Sequence, residues 1–364
     1  MSVFATATRF LPPPAFLTLP SVGVDISDTS LKYVQFKHDN RTGQDLSLVA
    51  WGDIDIPEGT LARGNVHDGP ALVKALEEVK NRTGLRNVRV SLPEERAYLF
   101  ETEIKKGTSF KEIRGLLEFR LEENVPLSPR DAFFDYEIID SAQSRNTLKV
   151  SVTVYSRETI MGYYDAARAA GLTPLSFEVE AQAIGRAALP VGDTGTHMIV
   201  DFGKTRTGIG IVHQGTLMYT STIDIGGLEL SSALRRQLGE KTEAELTTIK
   251  NTKGLVPGSG DRAAYEALIT TMSAIKDEIA LRIQYWQTHA GDKEDRSIDS
   301  IVLCGGSCNL KGLPSYLSEV LGIEAKRAQV WQNAFSLSDE IPPIDRRHSF
   351  GYATAIGLAL NSLI

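Results

Sequence analysis

The chain has 364 residues, 42% of them hydrophobic, enough apolar material for two or three packed units at roughly 150 residues per domain. Lys plus Arg number 39 against 46 Asp plus Glu, and the net charge of −7 disfavours a dedicated nucleic-acid-binding role, because nothing global attracts a phosphate backbone. No stretch approaches the ~18 consecutive apolar residues of a membrane helix. Met1–Pro20, with one Arg and the cluster Pro12-Pro13-Pro14, lacks the charged start and apolar helix of a signal peptide. The expectation is a cytoplasmic protein with a ragged N-terminal extension over residues 1–20. Cys304 and Cys308 are the only cysteines, too few and too close for a disulfide scaffold or a zinc knuckle, and read as reduced, partly buried thiols.

In chain order, the first pattern is an apolar strand ending in Asp, then a polar turn: Ser21-Val22-Gly23-Val24-Asp25-Ile26-Ser27-Asp28-Thr29-Ser30. Strands over Leu31–Lys37 and Leu46–Ile56 complete a three-strand meander. A helix over Ala71–Asn81, ended near Gly84, and a buried strand Asn87–Leu92, stopped by Pro93, follow. A different module then begins: strand Ala97–Ile104, helix Ser109–Asn124 opened by the capping box Ser109/Glu112, strands Phe133–Ile139 and Thr147–Tyr155, and helix Arg157–Ala170 closed by Gly171. This is a β-α-β-β-α insertion. The opening pattern then repeats as His197-Met198-Ile199-Val200-Asp201-Phe202-Gly203-Lys204-Thr205-Arg206-Thr207, with strands Gly208–His213 and Thr216–Ile225, so the chain reads as two related α/β halves. A helix Leu228–Leu238, a polar loop around Asn251–Asp261 and a long helix near Arg262–His289 come next. Strand Ser300–Leu303 runs into Cys304-Gly305-Gly306-Ser307. A short helix from Pro314, the segment Ile323–Gln329 and a final apolar helix from about Phe350 to Leu363, rich in small residues suited to close packing, end the chain.

Gly203-Lys204-Thr205 follows a strand, but a phosphate-wrapping P-loop needs a Gly five residues before Gly203, where Met198 stands. The six histidines have no metal-ligand spacing and no nucleophile elbow surrounds a serine. What remains are phosphate-compatible turns. Asp25 to Lys32 offers a carboxylate, hydroxyls and backbone donors, and Gly203 to Gly208 offers the same with Lys204, Thr205 and Thr207. Two facing Asp carboxylates call for a cation, and hydrated Mg²⁺ carried by a nucleotide serves. Gly305-Gly306-Ser307, lacking Cβ atoms at its glycines, suits a close approach to a flat base. Turn capping is the competing role for each Asp.

This constellation resembles the actin-like ATPases, with the sugar kinases and chaperone ATPases. Asp25–Ser30 is similar to the first phosphate motif, Asp201–Thr207 to the second, and Ile301–Ser307 to the adenosine motif. Glu180-Ala181-Gln182-Ala183-Ile184 and the Gly351–Leu358 helix resemble the two connecting helices. Within the superfamily the match is to the PilM family of type IV pilus assembly platforms, relatives of FtsA. It is carried by Val22-Gly23-Val24-Asp25-Ile26-Ser27 with Ser30 and Lys32, Leu117–Pro126, Ala169-Ala170-Gly171-Leu172-Thr173-Pro174, Ile225-Gly226-Gly227 and Asn309-Leu310-Lys311-Gly312-Leu313.

The resemblance implies an actin-like α/β fold. The first half would span 21–96, completed by 174–192 and 345–364. An FtsA-like interaction subdomain of the SHS2 kind would occupy 97–173, and the second half 193–344. It implies ATP·Mg²⁺ as ligand, with hydrolysis slow or absent. Asp25 and Asp201 would position Mg²⁺, Asp201 and Glu180 would hold the attacking water, and Ser27, Thr29, Ser30, Lys32, Gly203, Lys204, Thr205, Thr207, Gly226, Gly227, Gly305, Gly306 and Ser307 would meet the nucleotide. Arg282, and Lys250 or Lys253, are the candidates for base contacts. The implied partner is the cytoplasmic N-terminal tail of a PilN-like inner-membrane protein, lying in a groove between the insertion and the main half, beside other platform proteins and self-association. Helix Ser109–Asn124 is the expected groove wall, with Phe110, Ile113, Leu116, Leu117 and Leu121 at helical spacing. No terminal amphipathic helix follows the last connecting helix, so indirect membrane attachment is expected. That weighs against an FtsA-like membrane polymer, while the absence of a polar sugar-binding cluster in the insertion weighs against a sugar kinase.

Overall fold

The structure is a computed structural model and describes residues 19–38, 46–139, 146–258, 261–288, 296–338, 340–361 and 363. All but the last two residues of the expected N-terminal extension, and His289 at the end of the expected long helix, lie outside the described residues. Two compact units emerge: Met1–Val191 with Gln329–Ile344 and Tyr352–Ile364, and Gly192–Ala328 with Asp345–Gly351.

The first unit begins with the expected meander, β1 (Val22–Ile26), β2 (Ser30–His38) and β3 (Leu46–Asp55). After the two-residue strands β4 (Leu61–Ala62) and β5 (Asn65–Val66), helix α1 (Gly69–Thr83) is capped by Asp68, whose carboxylate accepts from Ala71 N at 3.0 Å. Strand β6 (Asn87–Leu92) matches its expected bounds and pairs parallel to β1. The insertion follows as β7 (Tyr98–Lys105), α2 (Phe110–Asn124), β8 (Ala132–Ile139), β9 (Thr147–Ser156) and α3 (Arg157–Ala169). Its three strands form a separate antiparallel sheet in the order β7-β9-β8. Ile113, Leu117 and Leu121 of α2 bury onto Val150, Val152 and Val154 of β9, so the helical period of one element meets the two-residue period of the other. The Ser109/Glu112 capping box is present.

Strand β10 (Thr173–Val179), not anticipated because Pro174 and two polar residues interrupt its apolar pattern, pairs parallel to β6. The sheet order is β10-β6-β1-β2-β3. Helix α4 (Glu180–Ala188) starts directly from β10. The last helix, Ala353–Leu360, is buried at every position and packs on β1 and α4. The segment 329–344, expected in the second half, belongs to the first unit. Trp331 and Phe335 stack at 5.4 Å and both meet the Phe36 ring edge-on at 6.4 Å, while Asn333 donates to the carbonyls of Arg186 and Leu189. Burying such aromatics is worth several times any surface polar contact, which explains why this stretch follows the apolar surface of the first unit.

The second unit repeats the plan with β11 (Thr196–Phe202), β12 (Thr207–His213) and β13 (Thr216–Ile223) as its meander. Helix α5 (Gly227–Leu238) comes next, then α6 (Glu243–Thr252), a stretch to which sequence analysis gives no element before its polar loop at Asn251, although Thr242 and Glu245 form a capping box. The long helix α7 (Arg262–Thr288), β14 (Ser300–Cys304), α8 (Leu313–Leu321), β15 (Ala325–Arg327) and the single turn α9 (Arg346–Ser349) complete the unit. Strands β14 and β15 run parallel to β11, giving the order β13-β12-β11-β14-β15. Each unit therefore holds its Asp-terminated strand at the centre, with the meander on one side and parallel strands on the other. Among the described residues no helix is long and apolar enough to cross a membrane.

Candidate functional site

In the first unit the parallel strands β10, β6 and β1 end side by side, and each delivers a carboxylate at or just past its C-terminal end. These are Glu180 at the first position of α4, Glu94 just beyond Pro93, and Asp25 in β1. Open α/β sheets bind ligands at this edge, where strand ends and helix starts leave polar groups unclaimed. Ser91 Oγ donates to Asp25 Oδ1 at 3.0 Å and accepts from Ile26 N at 3.0 Å, fixing the carboxylate to the neighbouring strand. Burial raises the Asp25 pKa above the usual carboxylate range, and Lys32 and the Ser91 hydrogen bond offset part of that shift. Asp25 stands opposite Lys32 in the β1–β2 register. The Lys32 ammonium donates to Ser30 Oγ at 2.7 Å and lies 3.5 Å from Asp53. Ser27 is exposed, and its hydroxyl and amide both bond to the Ser30 carbonyl at 2.9 Å, closing a tight turn that also holds Thr29.

Glu94 was not singled out from sequence. It is 5% exposed, and burial lifts its carboxyl to about 7. Its signal was a charged residue following an apolar strand and proline, which reads as surface unless the neighbouring strand is known. Tyr155, at the end of β9, donates to the carbonyls of Pro93 (3.2 Å) and Leu92 (3.4 Å), tying the insertion to this edge.

In the second unit, Asp201 near the end of β11 lies beside Cys304 of β14 and Gly208 of β12. The following turn, Gly203 to Thr207, is closed by Gly203 N donating to Arg206 O at 3.0 Å. The start of α5 and the adenosine-type motif close on it. Gly227 N donates to Gly203 O and Leu228 N to Lys204 O, while the Ser307 hydroxyl donates to Gly203 O at 2.9 Å. Thr207 is fully buried and its hydroxyl donates to Ile225 O at 2.7 Å. Gly226 N donates to the Glu229 carboxylate at 2.7 Å. Thus Thr207, Gly226, Gly227 and Ser307 brace the turn with the groups expected to meet a ligand, whereas Lys204 is exposed and Gly203 and Thr205 are half-buried. Gly305, at φ 80°, packs so closely on Asp201 that a Cβ would fall 2.3 Å from Asp201 Oδ1, which only glycine permits. Gly306 is exposed. Burial pushes the Cys308 thiol up to about 12, in keeping with a packing role.

Next to Gly306–Asn309 opens a cavity of about 520 Å³, lined by Asn251, Asn309, Lys311, Arg327, Arg346 and Arg347 among others. Arg327 is held by the carbonyls of Cys308 (2.9 Å) and Leu310 (3.0 Å). Four cations and two amides without a lining carboxylate suit an anionic or acceptor-rich ligand. Sequence analysis missed these residues because they come from separate segments. The residues it offered for base contacts are engaged elsewhere. Lys250 donates to Ser231 Oγ at 2.7 Å and to Glu243 at 3.2 Å, and Arg282 pairs with Glu278 and reaches Ser221 Oγ at 3.3 Å.

A second cavity, about 600 Å³, lies wholly in the first unit between α1 and α3, lined by Val66, Pro70, Val73 and Ala166 with Lys74, Glu77, Gly162 and Asp165. The expected groove wall, the helix at 109–124, does not line it. That helix turns Ile113, Leu117 and Leu121 to its own sheet, leaving Phe110, Leu116 and Phe119 exposed.

Among the described residues no three His, Cys, Asp or Glu side chains form a candidate metal cluster. One carboxylate per turn fits Mg²⁺ that brings most of its ligands from water and phosphate.

The twin sheets, their strand-end Asp turns and the insertion define an actin-like ATPase fold. Solved structures agree. A PilM–PilN type IV pilus biogenesis complex matches with a TM-score of 0.75 at 20% identity, covering 95% of this chain and 99% of that one. The ethanolamine utilization protein EutJ of Carboxydothermus hydrogenoformans matches at 0.52 and 18% over 96% and 90%, and ADP-bound MreB5 of Spiroplasma citri at 0.54 and 13% over 93% and 94%. The family model for type IV pilus assembly protein PilM matches residues 23–363, so the chain belongs to the PilM family.

Proposed function

We propose that the protein is a nucleotide-responsive scaffold of the type IV pilus inner-membrane platform. Its two strand-end turns serve ATP·Mg²⁺ binding, the cationic cavity beside Gly306 takes the nucleoside end, and the groove between α1 and α3 takes the cytoplasmic N-terminal tail of a PilN-like inner-membrane protein. That tail would hold the scaffold at the membrane. The observation that carries this reading is the groove. It joins a helix of the main sheet to a helix of the insertion, and its apolar floor under a charged rim suits an extended peptide whose main chain is anchored by alternate side chains. The similar solved complex with PilN supports the choice of partner, and MreB5 with ADP supports the choice of ligand.

Removing the insertion outright is a poor test, because α3 is stitched to the main unit by Tyr163 to Gly64 (3.2 Å), Thr159 to Asn65 (3.2 Å) and Lys80 to Ala170 (2.5 Å). A point change is cleaner. A Cβ on Gly162 would meet Val66 at 3.4 Å, an ordinary contact, so Gly162→Phe should fold and fill the groove. Capture of the partner tail is expected to weaken at least tenfold, as when an interface pocket is blocked, with an unchanged circular-dichroism melt. Equal capture by folded Gly162→Phe and wild type would place the tail elsewhere.

A further inference from the structure

The cavity beside Gly306 is more cationic than a nucleoside requires. Lys311, Arg327, Arg346 and Arg347 reach it from three separate stretches of the second unit. Among the described residues no carboxylate lines it, and none of the four side chains pairs with Asp or Glu. In a chain with 46 acids against 39 bases, that concentration of unpaired cations in one concavity departs from the average surface. Asp345, next to the two arginines in the chain, is engaged as the cap of α9. Its carboxylate accepts from Arg347 N at 2.9 Å and His348 N at 3.2 Å and pairs with the His348 ring.

The frame under these charges is fixed. Arg327 donates through Nε to Cys308 O at 2.9 Å and through Nη2 to Leu310 O at 3.0 Å, which leaves Nη1 for a ligand. Lys311 is held at its main chain, where its N donates to Lys250 O at 3.1 Å and its O accepts from Leu255 N at 2.7 Å. Asn309 Nδ2 donates to Gly306 O at 3.1 Å and to Arg347 O at 2.8 Å, tying α9 to the glycine turn. Like charges gathered on such a frame repel, and an anion among them relieves the repulsion. A nucleoside brings no charge and a carboxylate brings one. A phosphate monoester brings about two, with three acceptor oxygens that match guanidinium donors.

We infer that this cavity holds a phosphate group. Two sources share that chemistry. One is a 2′- or 3′-phosphate on the ribose of the bound nucleotide, which rests on the nucleotide reading above and deepens it. The other is a separate small phosphomonoester, which does not depend on that reading. A volume of about 520 Å³ is that of a small-molecule site and accommodates the body that carries the phosphate.

Arg346→Ala combined with Arg347→Ala in the full-length protein removes two exposed charges and keeps the main-chain carbonyl that Asn309 uses, so the double variant should melt like wild type. Both proteins are titrated with AMP, adenosine 2′,5′-bisphosphate and adenosine 3′,5′-bisphosphate, and with inorganic phosphate in the presence and absence of ATP·Mg²⁺. Wild type should bind one bisphosphate at least tenfold more tightly than AMP, or bind phosphate alongside ATP. The double variant should lose at least tenfold on whichever ligand shows this, the usual effect of removing hydrogen bonds to a charged group. A bisphosphate preference assigns the phosphate to the ribose, and phosphate binding without that preference assigns it to a separate ligand. Equal affinity for AMP and both bisphosphates with no phosphate binding, or affinities that the folded variant shares with wild type, overturn the inference and leave the nucleotide reading intact. Absence of ATP·Mg²⁺ binding by wild type overturns that reading, while the phosphate titration still tests the cavity.

Discussion

Gly357→Val is expected to leave no folded protein in the soluble fraction, and Gly357→Ala to lower the melting temperature by about 6–12 °C. The last helix is wedged between β1 and α4. A Cβ on Gly357 would sit 1.7 Å from the Ala183 carbonyl oxygen, and one on Gly23 of β1 would sit 2.2 Å from the Ala355 carbonyl oxygen. Both obstacles are backbone, so no rotamer change relieves them. The helix has to move away from one neighbour, yet it is buried at all eight positions, and retreat opens voids along Ile356, Leu358 and Leu360. Overpacking of well-filled cores costs about 1–3 kcal/mol where side chains give way, and more when backbones must part. With about 3 kcal/mol lost, a unit of this size melts several degrees lower, and the larger valine exceeds what a marginally stable chain tolerates. Differential scanning fluorimetry of the alanine variant and the soluble yield of the valine variant test this. A valine variant that accumulates and melts like wild type would show that the three elements are not packed at backbone contact.

The small residues at 351, 353, 355, 357 and 359 point to that close packing from the sequence alone, because a run of Gly and Ala on an otherwise apolar helix has little reason other than a neighbour's backbone. Both meanders were equally legible: each alternates or saturates with apolar residues and stops at a polar turn, and β6 and the Ser109 capping box fell where expected. Strand β10 was hidden by its own composition. With Pro174, Ser176 and Glu178 in seven residues, it is a strand only because β6 lies beside it, and Arg89 donates to Ser176 across the pair. Helix α6 was passed over although its cap was present, and the stretch 329–344 was assigned to the wrong unit because aromatic anchoring of Trp331 and Phe335 on Phe36 is a long-range contact with no local pattern. The site shows the same division. Asp25, Asp201 and the glycine turns follow from motifs continuous in the chain. Glu94, Tyr155 and the arginines of the cationic cavity acquire meaning from strand register and chain return. Contacts inside these motifs also depend on the fold, since the hydroxyls of Thr207 and Ser307 donate to backbone carbonyls.

Asp25→Asn is expected to weaken Mg²⁺-dependent ATP binding by about a hundredfold while leaving the melting temperature at pH 7 unchanged or higher. Removing one charge that organises a metal and phosphates typically costs this much. The stability argument runs the other way. The folded-state pKa of Asp25 is raised, chiefly by burial, so between the unfolded value of 3.8 and the folded one the native state holds more protons than the unfolded chain. Stability is therefore greatest below that window and is lost as pH rises through it; at neutral pH the ionised carboxylate is a burden that Lys32 and Ser91 only partly relieve. Asparagine keeps an oxygen for the Ser91 hydroxyl and carries no charge to desolvate, so the variant should lack the fall in melting temperature that Asp25 is expected to give wild type as pH rises above its unfolded value. A carboxylate in such a position at the end of a central strand fits the ligand role proposed for it. Titration with ATP at fixed Mg²⁺, paired with melts across that pH range, tests both halves. Wild-type affinity in Asp25→Asn would remove Asp25 from the nucleotide site, and a lower melting temperature at pH 7 would make its charge a structural one.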